Sequence, residues 1–247
     1  MQTNIIYNED CIQGMTKIPS KSVKLILTDL PYGMTDCSWD KRLPLPELWQ
    51  QWNRVLADGG ATVLTSIQPF TTAVIRSNIR NFKYCWYWVK NNATGFCFAK
   101  YQPMRNVEDI CVFYNKAPAY HPQGIIKLDK PQKHFDKYSD KNGVYKSSTL
   151  TGKTYVTEYT NYPKQTLQFK RETTSLHPTQ KPVTLFEHLI KTYTDPGDVV
   201  LDCCIGSGTT AVAAMNTGRR YIGFETDKGY YDTANRRITQ IGTMLVQ

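Results

Sequence analysis

No stretch of this chain approaches the eighteen or more consecutive apolar residues that a bilayer-spanning helix needs. The amino terminus, MQTNIIYNEDCIQG, lacks the charged, apolar and small-residue succession of an export signal. A cytoplasmic protein with no membrane association is therefore expected. The seven cysteines (11, 37, 85, 97, 111, 203, 204) include no CxxC pair and no Cys/His spacing suited to zinc, which argues against a disulfide framework and a metal site. Cys203 and Cys204 adjoin a glycine-rich loop but read best as small buried side chains. Acidic residues are scarce too: 21 Asp and Glu face 30 Lys and Arg, for a formal net charge of +9. A basic excess attracts polyanions through long-range field and counterion release, so nucleic acid is the first partner to consider and an anionic membrane surface the second.

What is present fits one α/β domain with room for an insertion: 247 residues, 40% of them hydrophobic. Residues 23–28 (VKLILT) form a continuous apolar run ending in Asp29-Leu30-Pro31-Tyr32-Gly33, the pattern of a buried parallel strand that feeds a loop. A helix is expected over 45–57, closed by Asp58-Gly59-Gly60, then a strand over 61–66 and a helix over 68–80. Residues 84–90 and 109–114 read as two further strands, candidates for neighbours.

From 115 to 175 the periodicity fades, and eleven Lys or Arg face five Asp or Glu. Composition alone fits a solvated insertion as well as a binding surface. The interleaved aromatics, such as Tyr138, Tyr145, Tyr155 and Tyr159, favour contact with phosphates and bases. Lys127, Lys130, Lys133, Lys137, Lys141, Lys146 and Lys153 are the candidate DNA-binding residues. Alternation resumes at 177, with a helix opened by Pro182 and running to 194, a turn at 195–198, a strand over 199–204, a helix over 209–217, a strand over 220–225 and a helix from 228.

The turn Gly206-Ser207-Gly208 between a strand and a helix makes a nucleotide-type site, since glycine admits close approach of the ligand and the helix terminus offers unpaired amides. Glu225, ending the next strand, is placed to accept hydrogen bonds from a ribose diol. The geometry suits any adenosine-containing cofactor. Gly206-x-Gly208-x-x-Ala211 also fits a relaxed dinucleotide fingerprint, so an NAD-dependent oxidoreductase is a competing reading. Too little chain follows the loop to complete a six-stranded dinucleotide fold downstream, which counts against it.

Asp29-Leu30-Pro31-Tyr32 carries a more particular chemistry. The lone pair of an aromatic exocyclic amine is delocalised and poorly nucleophilic. A carboxylate such as Asp29 can accept one N–H while the Leu30 carbonyl accepts the other, which orients the nitrogen and favours a localised lone pair. Pro31 stiffens the turn. Tyr32 offers a face for an extruded base, a contact of roughly 1–3 kcal/mol against the few kcal/mol needed to flip it.

The chain resembles the amino-methyltransferases of DNA on four segments. Asp29-Leu30-Pro31-Tyr32 is similar to their D/N/S-P-P-Y motif, and Glu9-Asp10-Cys11 with Ile18-Pro19 to their amino-terminal lead-in. His177-Pro178-Thr179-Gln180-Lys181-Pro182 is similar to their HPTQKP segment, and Asp202-Cys203-Cys204-Ile205-Gly206-Ser207-Gly208-Thr209-Thr210 to their cofactor loop. The catalytic motif precedes the cofactor loop, the permuted order of the β group.

The resemblance implies a Rossmann-like α/β methyltransferase fold, with a mostly parallel seven-stranded sheet and helices on both faces. A target-recognition region, 115–175, is inserted between a catalytic part, 1–114, and a cofactor part, 176–247. S-adenosyl-L-methionine is the implied cofactor, double-stranded DNA the substrate, a homodimer plausible, and the setting a bacterial or phage-infected cell. Asp29, Leu30, Pro31 and Tyr32 become the catalytic set. Gly206 and Gly208 line the methionine portion of the cofactor, Glu225 takes the ribose, Asp10 and the Cys11 amide the adenine edge, and Lys181 the methionine carboxylate. Asp29, Asp202, Ser207, Thr209 and Thr226 complete the cofactor-binding set, while His177 is expected to be structural.

In the resembled group, Asp at the first motif position goes with adenine and Ser more often with cytosine, so the resemblance implies adenine N6, with cytosine N4 the alternative. Carbon-5 methylation is disfavoured because it needs a positioned cysteine nucleophile. An RNA methyltransferase and an inactive DNA-binding module remain compatible with these residues. Two departures stand out: Leu30 replaces the first proline of the motif, and Cys203-Cys204 replace Pro-Phe.

Overall fold

The computed structural model describes residues 1–37, 40–135, 153–171 and 180–245. β1 (Ile5–Tyr7) and the short α1 (Cys11–Met15) lead into β2 (Val23–Thr28), α2 (Leu45–Val55), β3 (Leu56–Ser66) and α3 (Phe70–Ser77). The strands β4 (Phe82–Thr94) and β5 (Arg105–Phe113) follow, then β6 (Ile126–Phe135), β7 (Thr154–Thr160) and β8 (Thr166–Gln168). The chain closes with α4 (Val183–Tyr193), β9 (Val199–Asp202), α5 (Thr209–Asn216), β10 (Arg220–Phe224) and α6 (Lys228–Leu245).

One sheet has the order β1-β10-β9-β2-β3-β5-β4-β8. Its first five strands pair parallel, β5 runs antiparallel to both β3 and β4, and β8 pairs parallel with β4. The mostly parallel α/β sheet is thus present, with eight strands among the described residues instead of the expected seven. The added strand is the three-residue β8, which comes from the stretch where periodicity had faded. A strand this short, with only Leu167 buried, leaves no alternation to read.

Both faces of the sheet are covered, which is why VKLILT shows no polar alternation. Leu25 and Leu27 of β2 pack in a cluster with Leu185, Leu189 and Ala213 from α4 and α5. Ile26, between them, points to the opposite cluster with Trp49, Trp52 and Val74 from α2 and α3. The pleat alone sends neighbouring residues to the two cores.

The expected helix stop at Asp58-Gly59-Gly60 lies inside β3 instead, because α2 ends at Val55 and Leu56 is already extended. Val23 pairs with Leu56 but Leu25 with Ala61, so residues 57–60 bulge from the ladder. Gly59 takes a φ of 68° there, and a side chain at Gly60 would meet the Lys24 carbonyl at 2.8 Å. The glycines serve a bulge and not a cap.

The chain divides into two compact units, residues 1–121 with 165–247, and residues 122–164. The second contains β6 and β7, an antiparallel pair with a register shift between Lys127 and Gln132. Within it the Asn161 amide donates to the Gly124 carbonyl at 2.8 Å, and His134 stacks on Tyr155.

Between β9 and β2 the strand order reverses direction: the chain builds outward from β9 through β10 on one side and from β2 through β3 on the other. In open α/β sheets, ligands bind in the crevice at the carboxyl ends of the strands flanking such a point. Asp29 follows β2 and Asp202 ends β9.

Candidate active site

A cavity of about 650 Å³ opens at that crevice, a size suited to a cofactor-scale ligand. Asp10, Cys11, Asp29, Leu30, Pro31, Tyr32, Lys181, Asp202, Ser207, Thr209, Glu225 and Thr226 line it. The structure therefore brings together residues from five separated segments. Gly206 and Gly208 form the turn, with φ of 53° and 86°, and do not themselves line the cavity. A Cβ at Gly208 would lie 3.2 Å from that of Ala234, so its backbone conformation and the packing of α6 both call for glycine. Of the lysines proposed for DNA contact, Lys127, Lys130, Lys133 and Lys153 lie in the second unit. Lys137, Lys141 and Lys146 lie outside the described residues, as does His177.

On the side of the Gly206–Gly208 turn, the carboxylates accept hydrogen bonds and take part in no ion pair among the described residues. Asp202 accepts from the Cys204 amide at 3.0 Å and from the Thr210 hydroxyl. Burial pushes its carboxyl up to about 6, against the opposing pull of those hydrogen bonds. Glu225 accepts from the Gly206 amide and the Asp227 amide, each at 2.9 Å, and burial raises it also. The Thr226 amide also bonds this carboxylate, which holds it in place at the mouth of the glycine turn. Asp10 caps α1 by accepting from the Gln13 amide at 3.0 Å. Desolvated acids with αL glycines beside them fit an adenosyl cofactor that carries positive charge.

On the other side, Asp29 is held from three directions. Its Oδ1 accepts from the Tyr32 hydroxyl at 2.7 Å and from the Thr65 hydroxyl, and its Oδ2 from the Lys181 ammonium at 2.6 Å. Lys181 is 6% exposed. Burial pulls its pKa down, but the Asp29 and Glu108 carboxylates outweigh that and hold it above the ordinary lysine value. Expected at a methionine carboxylate, Lys181 in this structure is paired with Asp29. Burial, and then the Asp29 charge, push the Tyr32 phenol well up, so it stays a neutral donor. Its ring packs against Phe70 at 5.2 Å between centroids.

The two departures from the resembled motifs have structural accounts. The Leu30 side chain is buried with Cys11 and Ile26, so hydrophobic anchoring replaces one ring constraint on the turn. Cys203 is buried and accepts from the Trp52 indole at 3.2 Å, and both Cys203 and Cys204 line the cavity.

Residues that sequence reasoning missed come mainly from β4 and β5, toward the β8 edge of the sheet. Glu108 on β5 lies 3.5 Å from Lys181 and 2.5 Å from Lys90 of β4, and Trp88, Thr94, Arg105 and Arg171 complete that wall. The available signal was Glu108 itself, a charged residue beside an apolar strand run, where burial calls for a partner. Among the described residues there is no His, Cys, Asp and Glu cluster able to hold a metal, and no helix is long and apolar enough to cross a membrane.

A switch-point cavity in an α/β sheet, with a glycine turn and desolvated acids on one side and the salt-bridged Asp29 carboxylate on the other, is the kind of site that holds a nucleotide-like cofactor. A family model described as DNA methylase matches residues 23–236, and the chain belongs to that family. It is 27% identical, over 96% of its length, to the type II methyltransferase M.HinfI of Haemophilus influenzae, 69% of which is covered. It is 26% identical, again over 96% of its length, to the DNA adenine methyltransferase YhdJ of Escherichia coli, 83% of which is covered.

Among solved structures, the M1.HpyAVI–SAM complex shares the fold with a TM-score of 0.65 at 24% identity, covering 94% of this chain and 98% of that one. The cytosine-N4-specific PvuII DNA methyltransferase does so with a TM-score of 0.68 at 16% identity, covering 98% and 92%.

Proposed function

We propose that this DNA methylase transfers a methyl group from S-adenosyl-L-methionine to N6 of an adenine extruded from double-stranded DNA. The observation that carries this reading is the placement of Asp29, fixed by Tyr32, Thr65 and Lys181, in one cavity with the glycine turn and Glu225. Adenine is favoured by the Asp at the first motif position and by the likeness to YhdJ.

The bound cofactor supplies an electrophilic methyl on a sulfonium. The residues of the chain do the rest. Glu225 and Asp10 orient the adenosyl part, with Asp202 and the turn of Ser207 and Thr209 beside the methionine part. Asp29 and the Leu30 carbonyl accept the two amine hydrogens, which turns the nitrogen lone pair toward the methyl. A nitrogen that had gained the methyl group would be cationic until it lost a proton, and Asp29, as the acceptor of one of its hydrogens, would hold that proton. Tyr32 stacks on the base. The second unit, with Lys127, Lys130, Lys133 and Lys153, is assigned to DNA contact and target recognition.

Purified protein, tritiated S-adenosylmethionine and plasmid DNA test this directly. Label is expected in DNA as N6-methyladenine at a fixed sequence context, located by single-molecule sequencing. Label on cytosine N4 would move the assignment to the other amino base. Absence of transfer, together with a melting temperature raised by nicotinamide dinucleotide but not by S-adenosylmethionine, would overturn it.

A further inference from the structure

Both oxygens of Asp29 are engaged in the resting structure. Oδ2, the one not bonded to Tyr32 and Thr65, is taken by Lys181 at 2.6 Å. The same ammonium stands over the Tyr32 ring, 5.8 Å from its centroid. Lys181 therefore occupies the place where a flipped amino base would meet both its acceptor and its stacking face. An ammonium this deeply buried cannot give up its counterion without a replacement, because an uncompensated buried charge is strongly destabilising. It can leave Asp29 only for another anion.

Glu108 is that anion. Its Oε2 is buried and makes no hydrogen bond among the described residues, yet lies 3.5 Å from Lys181 Nζ. Its Oε1 is held by Lys90 at 2.5 Å, which fixes the carboxylate in orientation. The strand that carries it, β5, pairs with β4 in a register that sets Glu108 opposite Trp88. Closing from 3.5 Å to a charge-assisted hydrogen bond of about 2.8 Å is a movement of less than about 1 Å. Two carboxylates and two ammoniums remain in the cluster throughout, so the exchange moves no net charge.

We propose that Glu108 is a positioning residue of the amine site: it receives the Lys181 ammonium when the base enters, which frees Asp29 Oδ2 and the face of Tyr32. The inference rests on the reading of the chain as an amino-methyltransferase. The acceptor left open on Glu108 is then the second seat of a lysine that has two.

The test is transfer of tritiated methyl to plasmid DNA at saturating cofactor, with cofactor affinity measured separately by calorimetry. Glu108→Gln is expected to lower kcat/KM for DNA by about tenfold while cofactor Kd stays within about twofold. Glu108→Asp, which keeps the charge, should recover part of the loss. Because Glu108 acts through Lys181, Glu108→Ala combined with Lys181→Ala should be no more than about twofold worse than Lys181→Ala alone. That double variant also removes both charges together, so the cycle stays readable if Glu108→Gln folds poorly. Glu108→Gln within twofold of wild type, or losses that multiply in the double variant, would overturn the proposal. If wild-type protein transfers no methyl group, it is the proposed function that fails; wild-type transfer with an unaffected Glu108→Gln removes only the role of Glu108.

Discussion

The two sides of the cavity hold their carboxylates in opposite ways. Asp202 and Glu225, on the parallel half of the sheet, are desolvated, meet only neutral donors and are raised in pKa. Asp29 and Glu108, where β2 and the antiparallel β5 meet the cavity, are salt-bridged to Lys181 and Lys90. Carboxylates in no ion pair among the described residues gain most from a ligand that brings its own positive charge. A wall already neutralised by lysines suits an uncharged amine, whose hydrogens need acceptors but whose binding should not require a counterion. The cavity thus keeps Lys181 and Lys90 against Asp29 and Glu108 and leaves Asp202 and Glu225 to neutral donors, the arrangement that the proposed division between a cationic methyl donor and a neutral acceptor would use.

The largest test of that contrast is Asp29→Ala, expected to cut methyl transfer by about 10³-fold while cofactor affinity changes by less than about threefold. Equal losses in tritium transfer and in calorimetric affinity would merge the two sides. Next, Glu225→Ala should weaken cofactor binding by about 10- to 100-fold, the loss of hydrogen bonds to a charged acceptor, with transfer recovering at saturating cofactor. A loss of transfer that persists at saturation would place Glu225 in the amine site instead.

The pH dependence is smaller and differs in sign between ligand binding and folding. Because burial raises Asp202 to about 6, its ionised form carries a penalty above that value in the free protein. The contribution of Asp202 to stability therefore improves as pH falls through 6 toward its unfolded value. A cationic cofactor prefers the ionised form, so its affinity should be fullest above pH 7 and fall by about tenfold by pH 5. Calorimetry across that range checks this, and Asp202→Asn should flatten the profile. The smallest effect is expected outside the cavity. Lys127→Gln should weaken DNA binding modestly and reduce the slope of log affinity against log salt by about 0.9, measured by fluorescence anisotropy.

The same contrast governs what could be read in advance. The parallel half announced itself: VKLILT became β2 with its expected bounds, and the Gly206–Gly208 turn and Glu225 stand where strand–turn–helix logic put them. These are local signals, since a buried strand, an αL turn and a helix start are each written in consecutive residues. Glu108 and Lys90 could not be read this way. Their partnership depends on the register of β4 against β5 and on the arrival of Lys181 from a segment far along the chain. The three-residue β8 and the bulge at residues 57–60 were likewise invisible, because pairing and not propensity defines them.

Sequence alone determined the alternation of strand and helix, the glycine turn, the acid that ends the next strand and the Asp-Leu-Pro-Tyr element, together with their permuted order. Tertiary structure alone decided that Lys181 rests on Asp29, that Thr65 and Tyr32 share that carboxylate, and that Glu108 waits beside them with an open oxygen. The physical reason is range. Backbone conformation answers to neighbours a few residues away, whereas buried charges answer to whichever counterion the packed sheet brings within a few ångströms.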